Sequence, residues 1–264
     1  MSDEEIMHKI HATKLIIPKG GSLIITHDLV IGVNNVLAKL IANYFFWIDV
    51  VAEQTNIHKG HCYDELYVMC IKMIMAASPT IINGDIVEFG CYTGISTSKL
   101  SIAASLLQKK LFVFDSFKGL PDPNEYGTGY QKNYYHEGSY SSTLNRVVST
   151  VTKFGMINNV SFSEGWFKDT LNTAGMQIEK IAYCFIDVDL TKSFIECIEY
   201  VLPRLQTNGI IFSHEADDEE YKKIFEQYGL FNKEEWYFER IKKITKLSDG
   251  ESPYTNTCFF VKKK

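Results

Sequence analysis

The stretch Val87-Glu88-Phe89-Gly90-Cys91-Tyr92-Thr93-Gly94-Ile95-Ser96 decides the fold. Asp85 to Phe89 is a short apolar run that stops on Gly90, and Ser96 to Gln108 carries Ala and Leu at helical spacing. A strand therefore passes through a glycine-bearing turn directly into a helix. The alternation continues downstream. Leu111 to Phe114 is an apolar strand ending on Asp115, and Ser141 to Phe154 sets Val147, Val148 and Val151 on one helical face. Val160 to Ser163 reads as a strand, and Ile181 to Ile186, rich in β-branched and aromatic residues, ends on Asp187. Phe194 to Leu205 reads as a helix and Gly209 to Phe212 as a further strand. Strands and helices alternating at this spacing predict an α/β fold: a Rossmann-like, doubly wound, mostly parallel sheet with helices on both faces. The end of the chain departs from the pattern. Trp236 to Ile244 and Thr257 to Val261 flank a polar loop containing Asp249-Gly250 and Pro253, which predicts an antiparallel strand hairpin at a sheet edge.

Working outward, residues 61–264 read as one domain and residues 1–60 as an N-terminal extension. The extension holds β-like segments at Lys14 to Pro18 and Ser22 to Thr26, then an amphipathic helix over about 34–52. Tyr44, Phe45, Phe46 and Trp47 load that helix with aromatics, as expected of a cover over the core, a homo-oligomer contact, or a lid over a substrate pocket. A second helix over 63–77 stops before Pro79, since proline disfavours helix in the residue preceding it. The chain has 264 residues, 45% of them hydrophobic, and a net charge of −5. That composition excludes a disordered chain, and the lack of a basic face argues against a nucleic-acid partner. The apolar stretch Val36 to Ala52 is interrupted by Lys39, Asn43 and Asp49, which argues against a membrane span. Six cysteines with no C-x-x-C pair read as reduced, mostly buried thiols of a cytoplasmic protein. The pair His58 and His61 has no second ligand pair nearby and reads as structural.

The chemistry concentrates at the strand ends. In a doubly wound fold the loop after the first strand is where ligands bind. Gly90 and Gly94 allow close approach to the backbone, and the helix that follows presents free N–H groups. The spacing is G-x-x-x-G rather than the dinucleotide G-x-G-x-x-G. Glu88 precedes the first glycine, where it disfavours a pyrophosphate and favours an amine or a sulfonium. Asp115 ends the next strand, placed to take the two hydroxyls of a ribose. Together these features describe a nucleoside with a cationic, carboxylate-bearing arm, which S-adenosylmethionine fits better than NAD. Asp187 and Asp189 end a later strand, and His214-Glu215 follow the next one. Neighbouring strand ends lie about 5 Å apart, so carboxylates and imidazole converge at one sheet edge and form a candidate divalent-metal site. The alternative is that His214 and Glu215 lead into the acidic run Asp217-Asp218-Glu219-Glu220, the first turn of a helix.

These residues resemble the macrocin O-methyltransferase family of class I S-adenosylmethionine-dependent enzymes. The resemblance is carried by Val87 to Gly94, Val113-Phe114-Asp115-Ser116-Phe117-Lys118-Gly119-Leu120-Pro121, Glu164-Gly165-Trp166-Phe167-Lys168-Asp169-Thr170-Leu171 and Ile186-Asp187-Val188-Asp189-Leu190, within about residues 60–240. It implies that Glu88, Gly90, Tyr92, Gly94 and Ser96 line the methionine part of S-adenosylmethionine. It further implies that Asp115 holds the ribose with Ser116 beside it, that Gly165 and Trp166 lie by the adenine, and that Asp187 is the first metal-binding acid. A gapless count sets His214 and Glu215 where the family has two consecutive Asp. Imidazole in that position shifts preference from Mg²⁺ toward Mn²⁺, Fe²⁺ or Zn²⁺. Alternatively the metal is lost and His214 is a general base.

The expected activity is O-methylation of a hydroxyl on a sugar or other small natural-product-type acceptor, assisted by a divalent metal such as Mg²⁺ or Mn²⁺. Asp187, Asp189 and His214 are the candidate catalytic residues, and Asp187, His214 and Glu215 the candidate metal ligands. The loop Pro123 to Gly138, with Tyr126, Tyr130, Tyr134, Tyr135 and His136, is expected to close over the substrate. The competing expectation is an S-adenosylmethionine-binding protein with a degraded metal site, either non-catalytic or metal-independent and N-methylating. A nicotinamide-dependent oxidoreductase is the third reading, disfavoured by the glycine spacing.

Overall fold

The computed structural model describes residues 35–57, 63–77, 82–216, 218–243 and 252–264. The expected β-like segments before residue 27, the His58/His61 pair, Cys62 and the Asp249-Gly250 turn lie outside the described residues. Among those described, strands β1 (Asp85–Phe89), β2 (Leu111–Asp115), β3 (Val160–Glu164), β4 (Ile181–Ile186), β5 (Leu205–Ser213), β6 (Trp236–Lys242) and β7 (Tyr254–Lys262) form one sheet, ordered β3-β2-β1-β4-β5-β7-β6. From β3 to β5 all neighbours are parallel, while β7 lies antiparallel between β5 and β6. The predicted doubly wound sheet with an antiparallel C-terminal hairpin is therefore present. The chain winds outward from β1 in one direction through β2 and β3, then in the other through β4 and β5. The crevice between β1 and β4 is thus the point where strand order reverses, where ligands of such sheets bind.

The period-two alternation of the strands divides the core. Ile86, Leu111, Val113, Tyr183, Phe185 and Phe212 point to one face. That face is covered by α1 (Asn35–Gln54), α2 (Tyr63–Ala76), α3 (Ile95–Leu106) and α6 (Leu144–Phe154). Val87, Phe89, Phe114, Cys184, Ile186 and Ile211 point to the other, under α8 (Thr191–Val201) and α9 (Glu219–Gln227). Burial on both faces explains why β1, β2, β4 and the end of β5 read as nearly continuous apolar runs, whereas the edge strand β3 is only partly buried. Between these elements lie the short helices α4 (Pro123–Tyr126), α5 (Gln131–Tyr134) and α7 (Phe167–Thr170). The acidic run does open a helix: the Asp218 side chain caps α9 by accepting from the Glu220 N–H at 2.8 Å. Cys70, Cys91, Cys184, Cys197 and Cys258 are free and buried. No helix among the described residues is long and apolar enough to cross a membrane.

The aromatic face of α1 packs inward. Tyr44 and Phe45 are buried, the Tyr44 hydroxyl donates to the Phe154 carbonyl at 2.8 Å, and Trp47 meets the Phe154 ring edge-on. A buried ion pair fastens the same helix to α3: Lys99 Nζ lies 2.5 Å from Asp49 Oδ1, with the two side chains 1% and 7% exposed. Removing one member of such a pair leaves the other charge poorly compensated. Lys99→Met should therefore lower the unfolding free energy by about 3 kcal/mol, read as a lower urea midpoint. Adding Asp49→Leu to Lys99→Met should recover most of that loss.

Candidate active site

The sheet's hydrogen-bond ladder continues one residue beyond the strands and so fixes the candidate residues in a row. Gly165 N–H donates to the Asp115 carbonyl, Gly90 N–H to that of Phe114, Asp187 N–H to that of Phe89 and His214 N–H to that of Ile186, all at 3.0 to 3.1 Å. Asp115, Gly90, Asp187 and His214 thus stand side by side at the C-terminal edge of β2, β1, β4 and β5. The turn after β1 is built on positive φ angles: Gly90 at 79°, Tyr92 at 43° and Gly94 at 83°. Gly94 caps α3 in the left-handed conformation, a geometry that costs little only without a Cβ.

Asp115 ties this turn to the loop after β2. Its Oδ2 accepts from the Cys91 N–H at 2.8 Å and the Tyr92 N–H at 3.4 Å, while Oδ1 accepts from the Phe117 N–H at 2.7 Å. Burial raises the pKa of this carboxyl, and the backbone donors counter that in part. The residues open onto a cavity of about 630 Å³, lined among others by Gly90, Tyr92, Asp115, Ser116, Gly165, Trp166, Asp187 and Asp189. Those eight of the expected site residues are brought together. Glu88, Gly94 and Ser96 do not line this cavity. Glu88 is fully buried beneath the turn, and burial pushes its carboxyl up to about 8 against the opposing Ser96 and Thr97 hydroxyls.

A second cavity, of about 1220 Å³, adjoins the first; Tyr140 and Asp189 line both. His214, Glu215 and Asp218 line one side, and Tyr130, Tyr134 and Tyr135 another. The tyrosines come from the segment between β2 and α6. Its base is closed by Leu120 N–H to the Ser139 carbonyl and Gly138 N–H to that of Leu120, at 2.8 and 2.9 Å. Its middle is held by Gln131, fully buried, whose Oε1 accepts from the Thr128 and Thr191 N–H groups and whose Nε2 donates to Asp218. Tyr130 donates to Asp218 Oδ2 at 2.9 Å. Asp189 holds a left-handed backbone with φ 58°, a strained state for a non-glycine residue that tends to persist at functional sites. Among the described side chains, none from α1 lines either cavity.

Electrostatics couple the acids at the junction. Burial, then the Asp187 charge, raises the pKa of both Asp189 and Glu215. Burial opposes the charged form of His214, but Asp187, Glu65, Glu215 and Asp189 outweigh it and raise its pKa. Two of the three expected metal donors are engaged in hydrogen bonds. Glu215 Oε1 accepts from the Val188 N–H at 3.3 Å and Oε2 from the Ser213 hydroxyl at 2.8 Å, while His214 Nδ1 faces Thr257 Oγ1 at 3.2 Å. No group of three or more His, Cys, Asp or Glu among the described residues is arranged to hold a metal ion. As arranged, these side chains do not form a ready-made ligand group, and the chemistry below is derived without a metal. Sequence reading missed three residues here: Tyr140, Thr257 and Glu65, which sits on α2 and reaches His214 from outside the strand ends.

The chain resembles known proteins over much of its length. A family model described as Macrocin-O-methyltransferase (TylF) matches residues 65–245. The 8-demethyl-8-(2,3-dimethoxy-alpha-L-rhamnosyl)-tetracenomycin-C 4'-O-methyltransferase of Streptomyces olivaceus is 28% identical over 149 residues, 54% of this chain and 55% of that protein. The demethyldecarbamoylnovobiocin O-methyltransferase of Streptomyces niveus is 30% identical over 135 residues, 48% of this chain and 51% of that protein. The chain thus spans about half the length of these curated relatives. In three dimensions it resembles the O-methyltransferase NovP, with a TM-score of 0.67 and 17% identity over 86% of this chain and 100% of that one. It also resembles the O-methyltransferase TomG from Streptomyces achromogenes, solved in complex with SAM, with a TM-score of 0.55 and 11% identity over 84% and 90% of the two chains. These two likenesses bear on the fold. The match across residues 65–245 settles the kinship: the chain belongs to the macrocin-O-methyltransferase (TylF) family.

Proposed function

We infer that the protein is an S-adenosylmethionine-dependent O-methyltransferase acting on a hydroxyl of a sugar or other small natural-product-type acceptor. Family membership supports the reaction class. The observation that carries the reading is the pair of adjoining cavities, one walled by the glycine turn and Asp115, the other by His214 and the tyrosines. When bound, S-adenosylmethionine supplies a methyl group already activated on a sulfonium. Gly90 and Tyr92 bring backbone close to the donor, Asp115 accepts the ribose hydroxyls, and Trp166 offers a half-buried ring beside Gly165 for the adenine. The remaining work is alignment and removal of one proton. Tyr130, Tyr134 and Tyr135 hold the acceptor against solvent, and His214 takes the hydroxyl proton as oxygen is methylated. The sulfur retains the electron pair of the broken bond.

Calorimetry with S-adenosylhomocysteine tests the donor assignment. The expected result is saturable 1:1 binding and no heat with NAD; saturation by NAD alone would overturn it. Asp115→Asn sets an amide NH₂ against backbone N–H donors and removes a charge. It should weaken that binding about 10- to 100-fold, the equivalent of a charged hydrogen bond worth roughly 1.5–3 kcal/mol.

A metal-assisted variant is favoured by one observation, the crowding of Asp187, Asp189 and Glu215 around His214. It requires Glu215 to leave Val188 and Ser213. Full turnover by chelator-treated protein, unchanged by added Mg²⁺ or Mn²⁺, would exclude that variant. Donor binding without methyl transfer to any hydroxylated acceptor would instead support a non-catalytic role.

A further inference from the structure

A base must present a lone pair to its substrate, and an imidazole does so at only one of its two nitrogens. Residues from two other elements set the His214 ring. Ser213 pairs with Cys258 across β5 and β7, which brings Thr257 beside His214. α2 delivers Glu65 to the same ring nitrogen. Thr257 Oγ1 lies 3.2 Å from His214 Nδ1 and 3.1 Å from Glu65 Oε1. The same carboxylate oxygen accepts the Asn256 N–H at 3.1 Å and lies 3.6 Å from His214 Nδ1. Glu65 and Thr257 are buried, whereas His214 keeps a face on the tyrosine-walled cavity.

The proton count then follows from chemistry. A threonine hydroxyl has one proton, and an ionised carboxylate only accepts. The Thr257 proton therefore goes to Glu65, and the Thr257 oxygen is left to accept from His214. The reverse orientation would turn the hydroxyl's lone pairs toward the carboxylate oxygen 3.1 Å away, an unfavourable contact. The ring hydrogen thus sits on Nδ1, and the lone pair sits on Nε2.

We propose that Glu65, acting through Thr257, is a positioning residue that holds His214 in the Nδ1–H tautomer, so that Nε2 faces the acceptor. The proposal rests on His214 being the base inferred above. In the reaction the acceptor's proton moves to Nε2 while Nδ1 keeps its own. The resulting imidazolium finds the Glu65 carboxylate 3.6 Å from Nδ1. Asp187, Asp189 and Glu215 also surround the ring, but the hydrogen bonds that distinguish its two nitrogens run from Nδ1 to Thr257 and from Thr257 to Glu65.

The test uses the full chain with ¹⁵N-labelled histidine and bound S-adenosylhomocysteine. The His214 signals are assigned by their loss in His214→Gln. Spectra are taken above the pH at which that ring titrates, as found in the same series. Wild-type protein should show a protonated Nδ1 and a bare Nε2. Thr257→Val, which keeps the shape and removes the hydroxyl, should move the population toward Nε2–H, and Thr257→Ser should restore it. Glu65→Gln provides a second perturbation with the same expected direction. In turnover, Thr257→Val should lower kcat about 10- to 100-fold, a fraction of the roughly 10²- to 10⁴-fold that general bases contribute. The acceptor KM and the S-adenosylhomocysteine affinity should stay unchanged, showing an intact fold. A wild-type ring protonated on Nε2, or a tautomer indifferent to Thr257→Val, would overturn the proposal. A tautomer that shifts as expected with no change in kcat would instead uphold the ring-setting contact and overturn the role of His214 as base.

Discussion

Replacing His214 by alanine should lower kcat by about 10²- to 10⁴-fold, the usual contribution of a positioned base. Affinity for S-adenosylhomocysteine should change by no more than about two-fold, because His214 lines only the second cavity. The measurement is release of S-adenosylhomocysteine in the presence of a hydroxylated glycoside selected from an acceptor screen. The variant should fold normally, since the backbone N–H of residue 214 still donates to the Ile186 carbonyl and the ring is not part of the core. Equal kcat values for the two proteins would remove His214 from the chemistry and return attention to Asp189, which lines both cavities.

Gly90→Ala should abolish measurable donor binding. A Cβ at this position would run into the Asp187 carbonyl oxygen, and φ is 79°. The left-handed backbone alone costs a non-glycine residue about 1–3 kcal/mol. The collision adds to this because the partner is a backbone carbonyl on the neighbouring strand end and not a flexible side chain. Relief requires β1 and β4 to part at the crevice, which displaces Asp187 and the turn together. Calorimetry with S-adenosylhomocysteine should show no saturation over a concentration range about 100-fold above the wild-type Kd, the equivalent of about 2.7 kcal/mol. Gly138→Ala is the matched control: φ is also 79°, but the nearest atom, the Lys118 carbonyl oxygen, is 3.9 Å from the added Cβ, so donor affinity should hold. Unimpaired binding by Gly90→Ala would show that the turn does not cradle the donor.

The sheet was legible in the sequence because β1, β2 and β4 are mostly buried apolar runs that close on a glycine or an acid. Gly90, Asp115 and Asp187 each directly follow an apolar run, and His214 follows one after a single serine, so the strand pattern alone set them at one edge. Strand starts were less visible. The apolar pattern of β5 begins at Gly209, yet the strand extends back through Gln206-Thr207-Asn208 to Leu205, which pairs with Ile181 across a register shift. Glu88 and Ser96 carried a motif but not a position: motif spacing does not say which side chain faces a cavity and which lies beneath the turn. Glu65 and Thr257 left no signal. A glutamate early in a helix reads as solvated, and the pair is separated by 192 residues, so only the packing of α2 against β7 brings them to one imidazole. Tyr140 was passed over because the expected loop ended at Gly138, whereas the structure closes that segment one residue later, at Ser139, and leaves Tyr140 between the two cavities.

The inter-strand ladder that runs one step past β2, β1, β4 and β5 divides the site into a part anchored on the sheet and a part borne on a connecting segment. Residues anchored by it inherit the rigidity of the sheet, while the tyrosine segment between residues 120 and 139 is held by its two closing bonds, by Gln131, by Tyr130 on Asp218 and by Leu120 and Tyr126 packed with Leu190. Replacements at Tyr130, Tyr134 or Tyr135 would reshape the second cavity and leave the strand-end row in place, whereas Leu120, Pro121 and Tyr126 of the same segment also line the first cavity. Engineering for new acceptors therefore belongs in that segment, with the four strand-end positions left as inherited.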